Sequence, residues 1–422
     1  MVIKHHSYRQ LEPGVFSKDE LAVELERIVR YRVVRDVQTS DMIETMYELY
    51  KRLATPTHPL YTSFRSIGLA YLLTFLHPDA LKDFLNRGLR EATVMDRMVE
   101  AKGFYGMAVP KGVVGHWVAG NVPLLSIISI LQAMLTKNVS LVKLSTKQED
   151  YITPFLRELS EVSETGQVLA DSVLVLSYPG ELTEINELLA SHCDVRIAWG
   201  GAEAVEAVSR LSGKAHSSTL VFGPKVSASV IDPNRMEPKD WDKLAADAVL
   251  FNQLACTSPH AIFVKGDSTV VSEAANLFGK ALSKQERKPY FTWLDAGETS
   301  KVLHYRTAAL MRGERLLCSS GAEWTIHLHH QADEVAAHGM RILHMYPYGS
   351  ARDIADKLPA SIQTLTHSLS PEELMELVHA VKYTGVVRVV PVGEAHTYDI
   401  PWDGMLVLDQ LVQWIKIAMP RT

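Results

Sequence analysis

From about residue 100 onward, short β-rich apolar runs alternate with segments of helical periodicity, and this alternation constrains the fold more than any other feature of the sequence. The runs are KGVVGHWVAG, VSLVKLS, DSVLVLSYP, DVRIAWGG, STLVFGP and HAIFVKG, with GVVRVVPVG near the end. Strands and helices that alternate in this way are typical of a parallel sheet covered by crossover helices. We therefore predict an α/β fold for this part of the chain.

The first hundred residues are predicted to be helical. Ser17 and Glu20 form a capping-box pattern ahead of a run with apolar residues at helical spacing, and we expect two or three more helices before the β-rich part begins. Towards the other end, Ser370, Pro371 and Glu373 have the pattern of a capped helix start. Because 422 residues exceed what one core usually holds, two principal domains are expected.

Composition and charge exclude several classes of protein. Hydrophobic residues make up 47% and charged residues 22%, which is globular rather than disordered. A net charge of -6 does not indicate the basic surface that is typical of nucleic-acid-binding proteins. The N-terminus lacks the apolar run of a secretion signal, and polar residues interrupt the apolar stretch 122–135. We therefore expect a cytoplasmic protein with neither nucleic acid nor a membrane among its partners.

The segment FNQLACTSPHAIFV centres on Cys256, which small residues flank and which the turn residues Ser258 and Pro259 follow. A cysteine in a tight turn can present its sulfur to a cleft, although an isolated intracellular cysteine is more often a core residue. Cys193 and Cys318 are interpreted as structural. The three cysteines match neither a disulfide framework nor a CxxC zinc motif.

Three further positions could contact an anionic ligand. Asn121 stands between a strand and an apolar helix, where a side-chain amide serves either as an oxyanion donor or as an N-cap. Lys143 comes at a strand's carboxyl end, where ligands of open α/β sheets gather but where an isolated lysine is usually solvated. Gly200 and Gly201 form a strand-turn-helix junction that can bring backbone close to phosphate, although the GxGxxG fingerprint is absent.

Together these segments resemble the aldehyde dehydrogenase superfamily, in which an oxyanion asparagine, a cofactor lysine, a turn glycine and a catalytic cysteine follow in this order. Asn121 precedes Lys143 by about twenty residues, and Gly200 precedes Cys256 by a little under sixty. Within the superfamily the chain is similar to the LuxC-type acyl-CoA, or fatty-acid, reductases. The shared motifs are AGNVP, SLVKLS, VFGPK, NQLACTSP and the terminal RVVPVG, WDG and LVQWI, from about residue 100 to the end.

The resemblance implies an aldehyde-dehydrogenase-like α/β fold with two Rossmann-like parallel-sheet domains and a helical N-terminal region. Residues 1–220, completed by about 390–422, would hold that helical region and the NADPH-binding domain. Residues 221–390 would form the catalytic domain that carries the nucleophilic cysteine. Relatives in the superfamily usually assemble, so a homo-oligomer is expected.

The resemblance also implies a role for particular residues. Cys256 and Asn121 are the expected catalytic residues. The expected cofactor contacts are Lys143, Ser145, Thr146, Gly200, Gly201, Val221, Phe222 and Gly223.

Two departures from ordinary aldehyde dehydrogenases refine the expected reaction. Where those enzymes carry a general-base glutamate in ELGGK, this chain reads VFGPK at 221–225, and without that base an acyl-enzyme is protected from hydrolysis. Where NAD-preferring relatives place a glutamate for the ribose, Thr146 and Lys147 stand here, which favours NADPH. The expected activity is NADPH-dependent reduction of an acyl thioester to an aldehyde through an S-acyl-cysteine.

Alternatives remain open at this point. The chain could be an NAD(P)-dependent aldehyde dehydrogenase that makes free acid, or a catalytically silent scaffold for acyl-transfer partners. The acyl donor could be acyl-CoA, a carrier protein or a partner enzyme, so an acyl-transferase or a synthetase is a candidate partner. Trp117, Trp199 and Phe222 could line an acyl tunnel or belong to the core.

No metal is expected from the sequence. Seventeen histidines, among them His116 and the pairs His5-His6 and His329-His330, invite a metal interpretation. No HExxH or comparable spacing supports it.

Overall fold

The computed structural model of the protein describes residues 8–10, 18–101, 104–120, 122–146 and 149–418. These residues belong to two compact units. The first comprises Met1–Gly223 together with Tyr398–Thr422, and the second, Pro224–Thr397, is inserted between those two stretches of chain.

The first unit starts with a short strand and a group of helices. These are β1 (Tyr8–Gln10), α1 (Lys18–Val29), α2 (Thr39–Leu53), α3 (Pro59–Ser66), α4 (Leu69–Leu76) and α5 (Pro78–Leu89). Four α-helices follow α1 where the sequence predicted two or three. Pro59 and Pro78 each occupy the first turn of a helix, and Gly68, with φ 94°, separates α3 from α4. The capping box predicted at Ser17 lies outside the described residues.

Between residues 99 and 222, the described part of the first unit adds seven strands and five helices. The strands are β2 (Val99–Ala101), β3 (Phe104–Pro110), β4 (Val113–Trp117), β5 (Val139–Leu144), β6 (Val173–Ser177), β7 (Val195–Trp199) and β8 (Ser218–Phe222). The helices are α6 (Pro123–Leu135), α7 (Ile152–Ser160), α8 (Glu164–Asp171), α9 (Thr183–His192) and α10 (Ala202–Ser209).

Five of these strands and β1 form a parallel sheet in the order β1-β6-β5-β4-β7-β8. Every residue of β4, β6 and β7 is buried, because helices cover both faces of a parallel sheet and its central strands are therefore mostly apolar. From β4 the chain first adds strands on one side and then returns to add β7 and β8 on the other. The strand order therefore reverses between β4 and β7, which is where ligands of open α/β sheets bind.

The second unit contains a second sheet. Its elements are β9 (Val226–Ile231), α11 (Pro238–Val249), β10 (Pro259–Lys265), α12 (Ser268–Gln285), α13 (Ala296–Met311), β11 (Arg315–Cys318), β12 (Thr325–Leu328), β13 (Ile342–Tyr348), α14 (Ala351–Ala355), β14 (Ile362–His367), α15 (Pro371–Val381) and β15 (Arg388–Pro391). The order is β11-β12-β13-β10-β9-β14-β15, and all neighbours are parallel except β11 with β12. The capping box predicted at Ser370 and Glu373 is confirmed at the start of α15.

After the second unit, the chain returns to the first. There α16 (Val407–Gln410) leads into β16 (Val412–Lys416), which pairs antiparallel with β3 in the three-stranded sheet β16-β3-β2. Among the described residues, none of the helices combines the length and the apolarity that crossing a bilayer requires.

Candidate active site

A cavity of about 210 Å³ opens at the carboxyl edge of the first unit's sheet, at the reversal between β4 and β7. Its walls come from the ends of β4, β5 and β7, from the turn after β6, and from α9 and α10. They include Trp117, Lys143, Gly180, Asn186, Trp199 and Ala204. A mostly apolar cavity with a few polar groups at this position suits a flat heteroaromatic ligand.

Lys143 brings a positive charge to this cavity. Its Nζ lies 5.5 Å from the ring centroid of Tyr178, and a Cβ atom on Gly180 would lie only 3.9 Å from the same nitrogen. Burial lowers the pKa of Lys143, and the nearby carboxylate of Glu181 opposes that change. The amine is thus held against an aromatic face at a strand end, where a ligand's hydroxyl or phosphate oxygens can reach it.

Asn186 forms hydrogen bonds to several residues in and beside the walls of the cavity. Its Oδ1 accepts hydrogen bonds from Trp117 Nε1 at 2.8 Å and from the Tyr178 hydroxyl at 2.9 Å. Its Nδ2 donates to the carbonyls of Gly180 at 2.9 Å and Leu182 at 3.2 Å. One buried amide therefore fixes both an aromatic wall and the turn that follows β6.

The junction of β7 and α10 places two glycines at a helix N-terminus. Gly200 has φ 149°, in the left-handed region that favours glycine, and a Cβ atom added to Gly201 would meet nothing within 4 Å. Gly201 is the N-cap of α10 and, having no side chain, leaves the first N–H groups of the helix uncapped by its own residue. The first backbone N–H groups of α10 can consequently bind a phosphate group.

The segment after β7 and the end of β8 are packed together. The ring of Phe222 stacks on Trp199 with centroids 4.0 Å apart, and its carbonyl accepts from the Gly200 N–H at 3.2 Å. Phe222 is 5% exposed, so any cofactor contact would come from its backbone. Val221, by contrast, is 39% exposed, and Gly223 has room around its Cα. Trp199 and Phe222 belong to the core of the first unit, together with Trp402.

The other expected contacts in the first unit lie close to Lys143 or beyond the described residues. Ser145 is half-buried and Thr146 is exposed, both directly after β5, although neither lines the cavity. Asn121 and Lys147 lie outside the described residues. Their roles stay predictions from the sequence.

Cys256 lies in a turn of the second unit, between α11 and β10, and is half-buried. Residues 251–253 precede it with φ values of 56°, 55° and 65°, a left-handed run without glycine that costs free energy. The buried amide of Gln253 offsets this cost, since its Nε2 donates to the carbonyls of Pro259 and Ile342, each at 3.0 Å. Its Oε1 accepts from the Ile342 N–H at 3.1 Å. The backbone that leads to Cys256 is therefore held in one strained conformation.

Hydrogen bonds also fix the turn at Cys256 and beyond it. The Ser227 hydroxyl donates to the Cys256 carbonyl at 2.7 Å. Thr257 Oγ1 lies 2.8 Å from His396 Nδ1, while His396 Nε2 lies 2.9 Å from the Asp247 carbonyl. A carbonyl can only accept, so Nε2 carries the proton and Nδ1 accepts from the Thr257 hydroxyl. Burial lowers the pKa of His396 to about 4, which keeps this ring neutral.

Asp247 stands beside this network. Its Oδ2 accepts from the Gly393 N–H at 2.7 Å, whereas its Oδ1 is buried without a hydrogen-bond partner among the described residues. Burial raises the pKa of Asp247 to about 7, against the opposing effects of the backbone N–H groups of Gly393 and Ala395 and of the charge on Arg388.

The other two cysteines lie in different surroundings. Cys193 is fully buried, its Sγ donates to the Leu189 carbonyl at 3.2 Å, and burial raises its pKa to about 12. Cys318 is half-buried on β11, and burial raises its pKa as well. A thiol with a raised pKa is a poor nucleophile at neutral pH, in agreement with a structural role for both.

His116 belongs to the core of the first unit. Its ring lies between the hydroxyls of Ser129, at 2.9 Å, and Ser140, at 3.3 Å, and burial lowers its pKa to about 3. His5 and His6 lie outside the described residues.

Sequence reasoning did not single out Asn186, Gln253 or His396. Gln253 falls inside the NQLACTSP motif, and Asn186 bonds to Gly180 directly after the run DSVLVLSYP, so both lie close to segments that the sequence singled out. Nothing in the sequence connects His396 with Thr257, 139 residues away.

Comparison with known proteins defines the class. An aldehyde dehydrogenase of Physcomitrella patens, solved with the reaction product succinate, superposes with a TM-score of 0.68 at 11% identity over 96% of this chain and 91% of that one. The aldehyde-dehydrogenase-like α/β fold expected from the sequence is thus confirmed. Within this class, the chain belongs to the LuxC acyl-CoA reductase family, whose model matches residues 34–414.

Two individual relatives are both long-chain acyl-protein thioester reductases. The long-chain acyl-protein thioester reductase of Vibrio harveyi is 24% identical over 94% of this chain and 86% of that protein. The corresponding reductase of Aliivibrio fischeri is 34% identical, over 45% of this chain and 39% of that protein.

Proposed function

We propose that this protein reduces an acyl thioester to an aldehyde with NADPH, through an acyl group held covalently on Cys256. The observation that carries the proposal is the half-buried thiol of Cys256 on a strained and tightly held turn, in a chain of the LuxC acyl-CoA reductase family. The family description names acyl-CoA, and the relatives' names specify acyl-protein thioesters. Both substrates are acyl thioesters, so this substrate class is the one we propose.

In the proposed first step, the Cys256 thiolate attacks the thioester carbonyl carbon and forms a new C–S bond. The oxyanion collapses, the donor's C–S bond breaks, and the departing thiolate takes up a proton from solvent. When bound, NADPH supplies a hydride to the acyl carbon. The C–S bond to Cys256 then breaks, which releases the aldehyde and restores the thiolate. Asn121 and a backbone N–H beside Cys256 are the proposed donors to both oxyanions, each worth about 3 kcal/mol.

The residues of the first unit fit the adenosine half of a nicotinamide dinucleotide. The apolar cavity at the strand reversal accommodates a flat base, the Lys143 amine can bind ribose or phosphate oxygens, and the uncapped start of α10 can bind the pyrophosphate. The proposed contacts are Lys143, Ser145, Thr146, Gly200, Gly201, Val221, Phe222 and Gly223.

Val221 supports an aldehyde product over an acid. It occupies the position at which ordinary aldehyde dehydrogenases carry the glutamate of ELGGK, and it is an aliphatic side chain, 39% exposed. An aliphatic group cannot activate water, so the acyl-enzyme is expected to persist until the hydride arrives.

The role of Cys256 is tested with Cys256→Ser and with Cys318→Ser, a half-buried cysteine of the same unit, as the matched control. After mixing with acyl-CoA, intact-mass spectrometry should show one acyl adduct on the wild type and on Cys318→Ser but none on Cys256→Ser. Aldehyde formation by Cys256→Ser should fall at least about a thousandfold. Near-normal reductase activity in Cys256→Ser would overturn the proposal.

The cofactor site is tested with Lys143→Met. Loss of the amine should weaken NADPH binding about tenfold or more and weaken NADH binding less, if Lys143 also contacts the 2′-phosphate. Lys214→Met is the control, because Lys214 pairs with Asp194 at 2.7 Å in the same unit and lines no part of the cavity. Fluorescence titration of both cofactors measures the difference, and equal affinities in wild type and Lys143→Met would contradict the assignment.

The remaining alternatives have separate readouts. Free acid rather than aldehyde as the product would identify an acid-forming dehydrogenase, and failure to bind any nicotinamide cofactor would favour a silent scaffold. We also propose a homo-oligomer, and an acyl-transferase or synthetase that delivers the acyl group as an alternative to free acyl-CoA. Light scattering on the pure chain tests the first, and a comparison of acyl-CoA with acyl-protein donors tests the second.

A further inference from the structure

Three histidines lie on one face of the second unit's sheet. His327 is on β12, His329 directly follows that strand, and His344 is on β13. Parallel pairing places His327 opposite His344, and the two-residue repeat of a strand turns His329 to the same side as His327. One nitrogen from each ring lies within 4.8 Å of the others.

The three rings contact one another, and one buried nitrogen among them has no hydrogen-bond partner in the described part of the chain. His327 Nδ1 lies 2.7 Å from the Tyr305 hydroxyl, which orients the ring, and its Nε2 lies 3.5 Å from Glu314 Oε2. His329 Nε2 lies 2.9 Å from His344 Nδ1. His344 is 4% exposed, and its Nε2 is buried with no hydrogen-bond partner among the described residues. A buried, unpaired ring nitrogen is unfavourable unless something binds it.

The charge state of the cluster suits a cation. Burial lowers the pKa of all three rings, which favours the neutral imidazole. A neutral imidazole is the form that binds metal ions. The carboxylate of Glu314 lies beside His327 and also pairs with Arg312 at 2.8 Å, and Asp333 adds a negative charge near His329.

We propose that His327, His329 and His344 bind one divalent transition-metal cation of the zinc type, with a fourth position filled by Glu314 or by water. Three imidazoles and one oxygen are a common ligand set for this ion. With Nε2 as the ligand atom, His327 donates its Nδ1–H to the Tyr305 oxygen, and this matches the outer contact that usually orients a histidine ligand. Because the ligands come from β12 and β13, the ion would cross-link two neighbouring strands and stabilise this side of the sheet. The site is independent of the proposed reductase chemistry.

This inference revises the expectation of no metal that the sequence supported. His327 and His329 form a His-x-His pair, but the third ligand is fifteen residues further on, in a different strand. The register that brings them together is a property of the fold and not of any local spacing.

The test uses the untagged full-length chain, stripped with a chelator and dialysed. Titration with Zn²⁺ against a competing chromophoric chelator should show one tight equivalent, and Co²⁺ should give the visible absorption of a tetrahedral site. His344→Ala should lose this equivalent, with affinity reduced at least about tenfold. His330→Ala is the matched control, because His330 is the exposed neighbour of His329 and should leave the equivalent intact.

A second measurement keeps the test decisive if His344→Ala folds poorly. Zn²⁺ that binds only the folded state should raise the melting temperature of the wild type and of His330→Ala, and should not raise that of His329→Ala. Absence of a tight equivalent in the wild type would overturn the proposal. Equal Zn²⁺ affinity in His329→Ala and His330→Ala would do the same, since it would place the ion elsewhere.

Discussion

Asp247→Asn should remove most of the loss of stability that ionisation of Asp247 causes in the second unit as the pH rises. Burial raises the pKa of Asp247 from 3.8 to about 7, so the folded state binds the proton more tightly than the unfolded chain does. A folded-state pKa above the unfolded one gives a contribution that is fully present below about pH 4 and is lost as the pH rises through 7. Asparagine has nearly the same shape and cannot ionise in this range.

The size of the effect follows from those two pKa values. Between pH 5 and pH 8, the linkage relation gives a loss of about 2.5 kcal/mol for the wild type and none for Asp247→Asn. For a unit of 174 residues, Pro224–Thr397, that loss lowers the melting temperature by roughly 5 to 10 °C.

The assay is differential scanning calorimetry of both proteins at half-unit steps from pH 5 to pH 8. Buried histidines such as His396 have lowered pKa values and contribute the opposite slope, so the quantity to compare is the difference between wild type and variant. Asp242→Asn is the control, because Asp242 lies on the same helix, α11, with its carboxylate partly exposed and paired with Lys284 at 2.9 Å. Parallel curves for wild type and Asp247→Asn, within about 1 °C, would refute the reasoning.

Two further predictions concern the hydrogen-bond networks of the candidate site. Asn186→Ala should destabilise the first unit by about 2–4 kcal/mol, because the Trp117 N–H and the Tyr178 hydroxyl lose their buried acceptor; urea unfolding measures this, and a change below about 1 kcal/mol would contradict it. Thr257→Val should lower kcat about tenfold or more with KM nearly unchanged, because the turn at Cys256 loses its hydrogen bond to His396. Thr257→Ser keeps the hydroxyl and should keep kcat near the wild-type value. Steady-state kinetics measures both constants, and an unchanged kcat in Thr257→Val would contradict the prediction.

The strands were predictable because their signal is local. Runs such as VSLVKLS and DVRIAWGG are mostly apolar, as is typical of strands covered on both faces of a parallel sheet, and they form the strands β5 and β7. The apolar helix expected after Pro123 is likewise present as α6, and almost all of its residues are buried. The order of these local segments along the chain was therefore enough to predict the fold class.

The features that were not predictable depend on contacts between distant segments. The left-handed run at 251–253 contains no glycine, and it persists because Gln253 reaches the backbone of Ile342 on β13. The antiparallel edge strand β11 and the facing histidines of β12 and β13 depend on strand register in the same way. In the first unit, Asn186 gains its importance only when Trp117 and Tyr178 are brought next to it.

The late return of the chain to the first unit affects how it can fold during synthesis. Pro110 on β3 is the register partner of Val412 on β16, so a ribosome must add about 300 residues before that pair can form. At roughly 5–20 residues per second this wait is on the order of 15–60 s, during which β3 has an unpaired edge. The inserted second unit is continuous in sequence and needs no such delay. We expect that, in arrested nascent chains that end before β16, the second unit already resists protease while the first unit is still cleaved.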